Sequence, residues 1–305
     1  GQDSLAAASK ASAIGQYASA TGEQSTALGQ NAQATALYAS ALGQESIANN
    51  TDATAVGQAA NATGGNATAT GAKSAASGYA STANGSYSKA DGFDSTAIGN
   101  NSVASKDFTS ALGQGAQATA NQATAIGQDS QSSAAQSSAV GQASTASGAQ
   151  ATALGQNANA NGVDSTSVGQ SAGATADRST AVGAKSLASG YFASAFGAYS
   201  TASSTNALAL GGASIASGIN SIATGQGAQA TAENTSAYGQ GSAATAKNAT
   251  ATGQAAQATA ENATATGQSS TASGVNSTSN GQASSATAVN ATATGQSAQA
   301  TAVNS

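Results

Sequence analysis

Residues that could carry out chemistry are scarce in this sequence. The 305-residue chain holds 12 acidic and 7 basic residues and has neither Cys nor His. Most of the acidic side chains lie at turn-like positions of a repeat, among them Asp3, Glu23, Glu45, Asp52, Asp94, Asp129 and Asp164. Without His or Cys there is no nucleophile paired with a base, and zinc and copper lack their usual ligands. We therefore expect a protein that is not an enzyme and that needs no cofactor or metal.

Composition and charge exclude several other classes. Leu, Ile, Val and Phe together make up about a tenth of the chain, too small a share for a globular core. The charged share of 6% is in turn too small for a charge-driven disordered tail. The basic residues are scattered and the net charge is −5, so we expect no nucleic-acid partner. No apolar run approaches the roughly 20 residues of a membrane span, so we expect no membrane contact by this segment.

An internal repeat determines the predicted fold. Every fourteenth residue from Gly1 to Gly295 is Gly, and we number the positions of each repeat 1 to 14 from that Gly. Positions 4 and 11 hold only Ala, Ser or Thr, and positions 6 and 13 are Ala except at Ser132, Ser167 and Ser279. This alternation predicts two short strands per rung, at positions 4–8 and from 11 to the next Gly. The fold is then an all-β solenoid whose narrow interior is lined by the small residues of positions 1, 4, 6, 8, 11 and 13.

The large apolar residues concentrate at one position of the repeat. Position 14 carries them at 14 of its 21 sites: Ile14, Leu28, Leu42, Val56, Ile98, Leu112, Ile126, Val140, Leu154, Val168, Val182, Phe196, Leu210 and Tyr238. Position 12 is mostly Thr or Ser, apart from Leu208 and Ile222, and the outward positions 5 and 7 are mainly polar. A monomer rarely exposes an apolar stripe of this length, so we predict self-association through the face formed by positions 12 and 14, the position-12/14 face. The contact should be wetter and weaker where position 14 becomes Thr224, Thr252, Thr266, Asn280 and Thr294.

The repeat motif N-[AS]-T-A-[ILVT]-G-x-x-[AS]-x-A-x-[AG] resembles the head repeat of trimeric autotransporter adhesins of Gram-negative bacteria, the Yersinia-adhesin-like head. Residues 262–267 read N-A-T-A-T-G and match its opening in full, whereas residues 122–127 depart at the first residue, where Gln replaces Asn. The resemblance implies a left-handed parallel β-roll solenoid and a homotrimer whose axis is lined by positions 12 and 14. Position 12 is Thr or Ser where the family prefers an aliphatic residue such as Val, which bears on how dry the trimer core is.

The resemblance also implies a function. Residues 1–305 are expected to form a single repetitive β-roll head of 21 complete repeats and a partial one, cut from a longer chain whose signal peptide, stalk and membrane anchor lie elsewhere. Such a head is a rigid trimeric rod on the bacterial cell surface, anchored in the outer membrane, that attaches to host matrix, cells or abiotic surfaces. The alternative is an ice-binding solenoid, suggested by Thr-Ala-Thr at 68–70, 250–252, 264–266 and 292–294.

Aromatic residues are the best candidates for ligand contact, because nine of the eleven Tyr and Phe lie at turn positions 3, 9 and 10. Exposed aromatic side chains are frequent interface anchors, and a trimer presents each of them three times. The candidate adhesive patch comprises Tyr79, Phe93, Phe108, Tyr191, Phe192 and Tyr199. We expect Tyr79 and Phe93 to stack on adjacent rungs, and Tyr191, Phe192, Phe196 and Tyr199 to cluster.

Three local features carry their own expectations. Position 10 is Asn in eight consecutive repeats, which predicts a tight corner with hydrogen bonds to the local main chain: Asn206, Asn220, Asn234, Asn248, Asn262, Asn276, Asn290 and Asn304. Lys106 occupies the small-residue position 8, so we expect its turn to bulge and release the ammonium to solvent. Lys89 and Asp91 lie two residues apart on one strand face and should form a weak surface pair.

Overall fold

Every regular element of the fold is a β-strand. The computed structural model describes residues 1–305 and contains 43 strands, numbered β1 to β43 in chain order. No helix in it is long and apolar enough to cross a membrane. Each complete rung has a two-residue strand at positions 5–6 and a three-residue strand at positions 12–14, as in Gln117–Ala118 and Thr124–Ile126. Two strands per rung were predicted, and they are shorter than predicted because the turns begin at positions 1 and 8.

Contacts divide the chain into two compact units, Gly1–Gln150 and Ala151–Ser305. The first unit holds β1 to β21. Its two-residue strands are Leu5–Ala6, Ser19–Ala20, Gln33–Ala34, Ile47–Ala48, Asn61–Ala62, Ala75–Ala76, Lys89–Ala90, Val103–Ala104, Gln117–Ala118, Gln131–Ser132 and Thr145–Ala146. Its three-residue strands are Ser12–Ile14, Thr26–Leu28, Ser40–Leu42, Thr54–Val56, Thr68–Thr70, Thr82–Asn84, Thr96–Ile98, Ser110–Leu112, Thr124–Ile126 and Ser138–Val140.

The second unit holds β22 to β43. Its three-residue strands are Thr152–Leu154, Thr166–Val168, Thr180–Val182, Ser194–Phe196, Leu208–Leu210, Ile222–Thr224, Ser236–Tyr238, Thr250–Thr252, Thr264–Thr266, Thr278–Asn280 and Thr292–Thr294. Its two-residue strands are Asn159–Ala160, Gly173–Ala174, Leu187–Ala188, Thr201–Ala202, Ile215–Ala216, Gln229–Ala230, Ala243–Ala244, Gln257–Ala258, Thr271–Ala272, Ser285–Ala286 and Gln299–Ala300.

Strand register is constant within each unit. Each strand pairs in parallel with the equivalent strand of the next rung, so that Ala104 lies beside Ala118 and Leu112 beside Ile126. The two kinds of strand form two separate parallel sheets, one from positions 5–6 and one from positions 12–14. Each position of the repeat therefore forms a row of side chains that continues from rung to rung.

Two turns per rung close the roll. The residues at positions 3 and 10 adopt left-handed backbone angles, for example Asp129 at φ 54° and Gln122 at φ 59°. Nearly every turn is closed by an N–H donated to the carbonyl three residues earlier, as from Ala116 to Gly113 at 3.2 Å. The position-1 Gly is required by space as well as by angle. At Gly127 φ is +124°, and an added Cβ would lie 2.5 Å from the carbonyl oxygen of Gly141.

The interior is one layer of small side chains. Ala at positions 6 and 13 and Ala, Ser or Thr at positions 4 and 11 are buried in nearly every rung. Most of the buried hydroxyls at positions 4 and 11 donate to the carbonyl that opens their own turn, as from Ser46 Oγ to the Gly43 oxygen at 2.9 Å. This internal partner lets Ser replace Ala at most of these sites without leaving an unpaired group, whereas the buried hydroxyls of Ser165, Ser221 and Ser277 have no hydrogen-bond partner.

Position 8 is not fully interior, which corrects the sequence-based expectation. Its Gly residues are buried, but its Ala residues are half-buried and Lys106 is exposed. The turn around Lys106 has no bulge, because the strands on either side keep their register: Val103 pairs with Gln117 and Ser110 with Thr124. The prediction of exposure was correct and the predicted bulge was wrong. Lys106 lies in the turn itself, so its side chain extends into solvent without any change in the neighbouring strands.

Candidate interaction surfaces

The position-14 side chains form one apolar row on the outside of each unit. In Gly1–Gln150 the row contains Ile14, Leu28, Leu42, Val56, Ile98, Leu112, Ile126 and Val140, and in Ala151–Ser305 it contains Leu154, Val168, Val182, Phe196, Leu210 and Tyr238. Nine of these side chains are between 36% and 63% exposed, and the other five are half-buried. Strict register places most of them side by side, as Leu112 lies beside Ile126, and polar residues interrupt the row at Thr70, Asn84 and Thr224. The large apolar side chains of position 14 thus lie along one line of the surface, where solvent reaches them.

The rest of the surface differs from this row. Position 12, on the same sheet, is Thr or Ser in most rungs, with Leu208 and Ile222 as neighbouring exceptions. The outward positions of the other sheet are mainly polar, and there Lys89 Nζ lies 3.0 Å from Asp91 Oδ2, which confirms the predicted pair. Within the second unit the row becomes polar at Thr252, Thr266 and Asn280. Each unit therefore has one apolar face, and in the second unit that face loses its apolar character toward residue 305.

Three aromatic rings form a continuous ridge at the turns of the first unit. Tyr79 and Phe93 stack with ring centroids 5.5 Å apart and planes 11° apart, which confirms the predicted stacking. Phe108 contacts the edge of Phe93 at 5.5 Å and 66°. Asn66 Nδ2 donates to the Tyr79 hydroxyl oxygen at 2.9 Å, and Asp107 accepts from the Phe93 backbone N–H at 2.9 Å. All three rings remain about half exposed although their contacts fix their positions.

A second aromatic group surrounds the only Arg of the chain. Tyr191 and Phe192 contact each other with centroids 4.4 Å apart. Arg178 lies 5.2 Å from the Phe192 centroid and donates from Nη1 to the Tyr191 hydroxyl oxygen at 3.0 Å, while its Nε lies 3.9 Å from Asp164 Oδ2. Nothing in the repeat pattern indicated this contribution from Arg178, although Arg178 lies at position 10 one repeat before Phe192.

Tyr199 and Phe196 do not join that group. Tyr199 lies at position 3, in the other turn of its rung, where Lys185 Nζ is 5.4 Å from its ring centroid. Phe196 lies in the position-14 row. Lys73 and Tyr87 repeat the same Lys–Tyr pairing in the first unit at 5.2 Å. Proximity in sequence was a poor guide here, because residues only a few positions apart turn to different sides of a thin roll.

The Asn residues of position 10 form a ladder. Each side-chain amide donates to the amide oxygen of the Asn in the next rung, from Asn206 through to Asn304, at 3.0–3.2 Å. The left-handed angle was predicted and is present, for example 58° at Asn248. The predicted bonds to the local main chain are absent, because the parallel register places an identical amide directly beside each one.

The ladder makes a measurable contribution to stability. Asn248→Gly keeps the left-handed corner and removes two ladder bonds, so unfolding free energy should fall by about 1 kcal/mol. Asn248→Val also forces a β-branched residue into that corner and should lose roughly 1–3 kcal/mol more. Denaturant unfolding of both variants measures the two losses separately. If both variants lost the same unfolding free energy, the left-handed backbone angle at position 10 would not disfavour a β-branched residue.

The structure has no pocket and no group of three or more acidic side chains placed to hold a metal ion. Its distinctive surfaces are the apolar row, the aromatic ridge, the aromatic group around Arg178 and the Asn ladder.

The chain is a parallel β-solenoid with one rung per repeat, an apolar row along one sheet and aromatic side chains at its turns. These features define a repetitive head domain, which displays the same kinds of surface from rung to rung. The chain belongs to the family of the YadA head domain repeat, and its repeats are of the type found in trimeric autotransporter adhesins. The family model describes two copies of the repeat and matches residues 20–46, 48–74, 76–102, 90–116, 104–130, 132–158, 160–186, 188–215, 216–242, 244–270, 265–287, 272–298 and 286–305.

Among solved structures, the chain is similar to the collagen-binding domain of the Yersinia adhesin YadA. The two are 24% identical over 49% of this chain and 68% of that chain, with a TM-score of 0.27. No curated protein matched the sequence. Family membership therefore rests on the repeat model and on the period of the rungs.

Proposed function

We propose that this chain is the head of a bacterial adhesin that works as a homotrimer outside the cell. Residues 1–305 would form one repetitive head, held to the outer membrane by other regions of the protein. The apolar position-14 row carries this proposal, because its large side chains have no cover within the chain. Association with other copies of the chain is the simplest way to bury these side chains, because every copy has the same row with the same spacing.

The trimer would bury the position-12/14 face and leave the turns outside. The aromatic ridge and the group around Arg178 lie at positions 9 and 10, away from that face, so each would appear three times on the assembly. Weak contacts to a matrix protein, a cell surface or an abiotic surface would then be multiplied by avidity. We propose these aromatic turns as the adhesive patch, with Tyr199 at the opposite turn as a separate contact.

Removing one aromatic group tests the patch. Tyr191→Ser with Phe192→Ser deletes both rings and the support that they give to Arg178, and we expect adhesion to immobilised extracellular matrix to fall about tenfold. Both side chains are exposed, at 44% and 46%, and neither enters the interior, so folding and solution mass should stay unchanged. The matched control is Tyr87→Ser, which removes one exposed ring at position 3. Unchanged adhesion in a folded double variant would show that this group is not part of the patch.

Ice binding, the alternative function, would use the same face. In the second unit Thr250 lies beside Thr264 and Thr252 beside Thr266, a short regular hydroxyl array. Asn280 interrupts it one rung later. An ice-binding face must be open to solvent, whereas the proposed trimer buries it, so the two functions exclude each other. Thermal hysteresis in solution would favour ice binding and contradict the adhesin proposal.

A further inference from the structure

Asn84 is the one amide at position 14 of the first unit, and it interrupts the apolar row. Its neighbours in the row are Thr70 and Ile98, so the apolar residues resume at Ile98 on one side and, beyond Thr70, at Val56 on the other. The Asn84 side chain is exposed and makes no hydrogen bond. The Asn residues of position 10 differ, because they bond to identical amides along their ladder. Asn84 has no such neighbour within its own chain.

A face made of repeats has a difficulty when it associates with copies of itself. Because the repeat is constant, a shift of one copy by a single rung places Leu, Ile or Val against Leu, Ile or Val again. Apolar contacts alone therefore discriminate weakly between the aligned and the shifted arrangement. A polar residue within the apolar row discriminates more strongly, since a shift sets its amide against an apolar side chain instead of an identical amide.

We infer that Asn84 sets the axial register in which copies of this chain associate, through hydrogen bonds with Asn84 of the neighbouring copies. An amide carries both a donor and an acceptor, so three of them around a threefold axis can each donate to the next and close a ring. A shift by one rung would break that ring, because it sets Asn84 of one copy against Thr70 and Asn84 of the other against Ile98, which cannot bond to it. This inference rests on the proposed homotrimer, and it adds the residue that aligns the chains.

The second unit offers a matched control. Asn280 occupies the same position of the repeat, but its row neighbours are Thr266 and Thr294. A shifted amide there still meets hydroxyl groups that can bond to it. Asn280 should therefore contribute little to register, although it is the same residue at the same position.

Disulfide formation measures the register directly, because the chain has no Cys of its own. Leu112→Cys places one thiol in the apolar row, and thiols of different copies pair only when their rungs are level. After refolding and oxidation, about two thirds of the chains should crosslink, since two of three thiols in a trimer can pair. When one chain of three shifts, the other two remain level and still pair, so a shift is detected in a one-to-one mixture of Leu112→Cys and Ile126→Cys chains that are refolded together and oxidised. Disulfides that join position 112 of one copy to position 126 of another require a shift of one rung, and Asn84→Val should raise the share of these mixed disulfides about twofold or more.

Two further variants separate register from other effects of the substitution. Asn84→Val combined with Ile98→Asn moves the amide by one rung and should return the share of mixed disulfides to that of the parent chain, whereas Asn280→Val should leave it unchanged. Solution mass is measured for every variant. A monomeric mass would refute the proposed trimer and this inference together. A trimeric mass with an equal share of mixed disulfides in all variants, with no crosslinking at all, or without rescue by Ile98→Asn would refute only the role of Asn84.

Discussion

Ile126→Asp should dissociate the proposed trimer. Ile126 lies in the apolar row beside Leu112 and Val140, and 38% of its surface is exposed in the single chain. Association would bring three carboxylates into one buried layer, and an unpaired buried charge costs several kcal/mol. The concentration at which the trimer half-dissociates should therefore rise about a hundredfold. Light scattering across a dilution series measures this shift.

The control for Ile126→Asp is Gln131→Asp. Gln131 lies at position 5 on the other sheet and is exposed, so the same new charge should leave the mass unchanged. Circular dichroism of both variants should match the parent chain, because neither side chain enters the interior. If the trimer is too tight for dilution to resolve, Leu112→Asp is added to Ile126→Asp. A mass that responds equally to Gln131→Asp and Ile126→Asp would contradict an interface at position 14.

The repeat allowed most of the fold to be predicted, for a physical reason. In a parallel solenoid, residues one repeat apart lie side by side, so a constant sequence position becomes a constant structural row. Small residues at positions 4, 6, 11 and 13 therefore predicted the interior, and large residues at position 14 predicted the exposed row. The sequence showed less clearly where the interior ends. Position 8 lies in the turn, but it carries mostly Gly or Ala, as the buried strand positions carry mostly Ala or Ser.

Side-chain partners across rungs were the part that the sequence did not reveal. The Asn of position 10 was assigned bonds to its own turn, but the nearest acceptor is the amide of the next rung, as between Asn248 and Asn262. Arg178 likewise finds Tyr191 in the adjacent rung. Such contacts depend on how each side chain leaves the turn, and composition and periodicity do not specify that direction.

Ala118→Leu should disrupt the roll from within. Ala118 is fully buried and lies in its row between Ala104 and Ser132. The distance across the interior is shown where Ser replaces Ala: Ser132 Oγ lies 2.8 Å from the Ser137 carbonyl oxygen and 2.6 Å from Ser137 Oγ. One small side chain from each side already fills that space. Three additional carbons cannot enter it unless the two sheets separate, so the loss of unfolding free energy should exceed about 3 kcal/mol.

The neighbouring residue supplies the control, because the strand alternates. Gln117→Leu introduces the same side chain one residue earlier, where it points outward and is exposed, and it should change unfolding free energy by less than about 0.5 kcal/mol. Denaturant unfolding compares the two. Equal losses would mean that the inward and outward faces of the strand had been assigned wrongly.

The damage from Ala118→Leu should also be local. Each rung of a solenoid contacts only its neighbours, so a rung forced open weakens the rungs beside it and leaves distant ones intact. Amide hydrogen exchange should accelerate in the strands Val103–Ala104, Gln117–Ala118 and Gln131–Ser132, while Ser19–Ala20 keeps its protection. In a globular core, a side chain too large for its site would weaken the whole domain together. Uniform acceleration across the first unit would therefore contradict an interior built rung by rung from Ala.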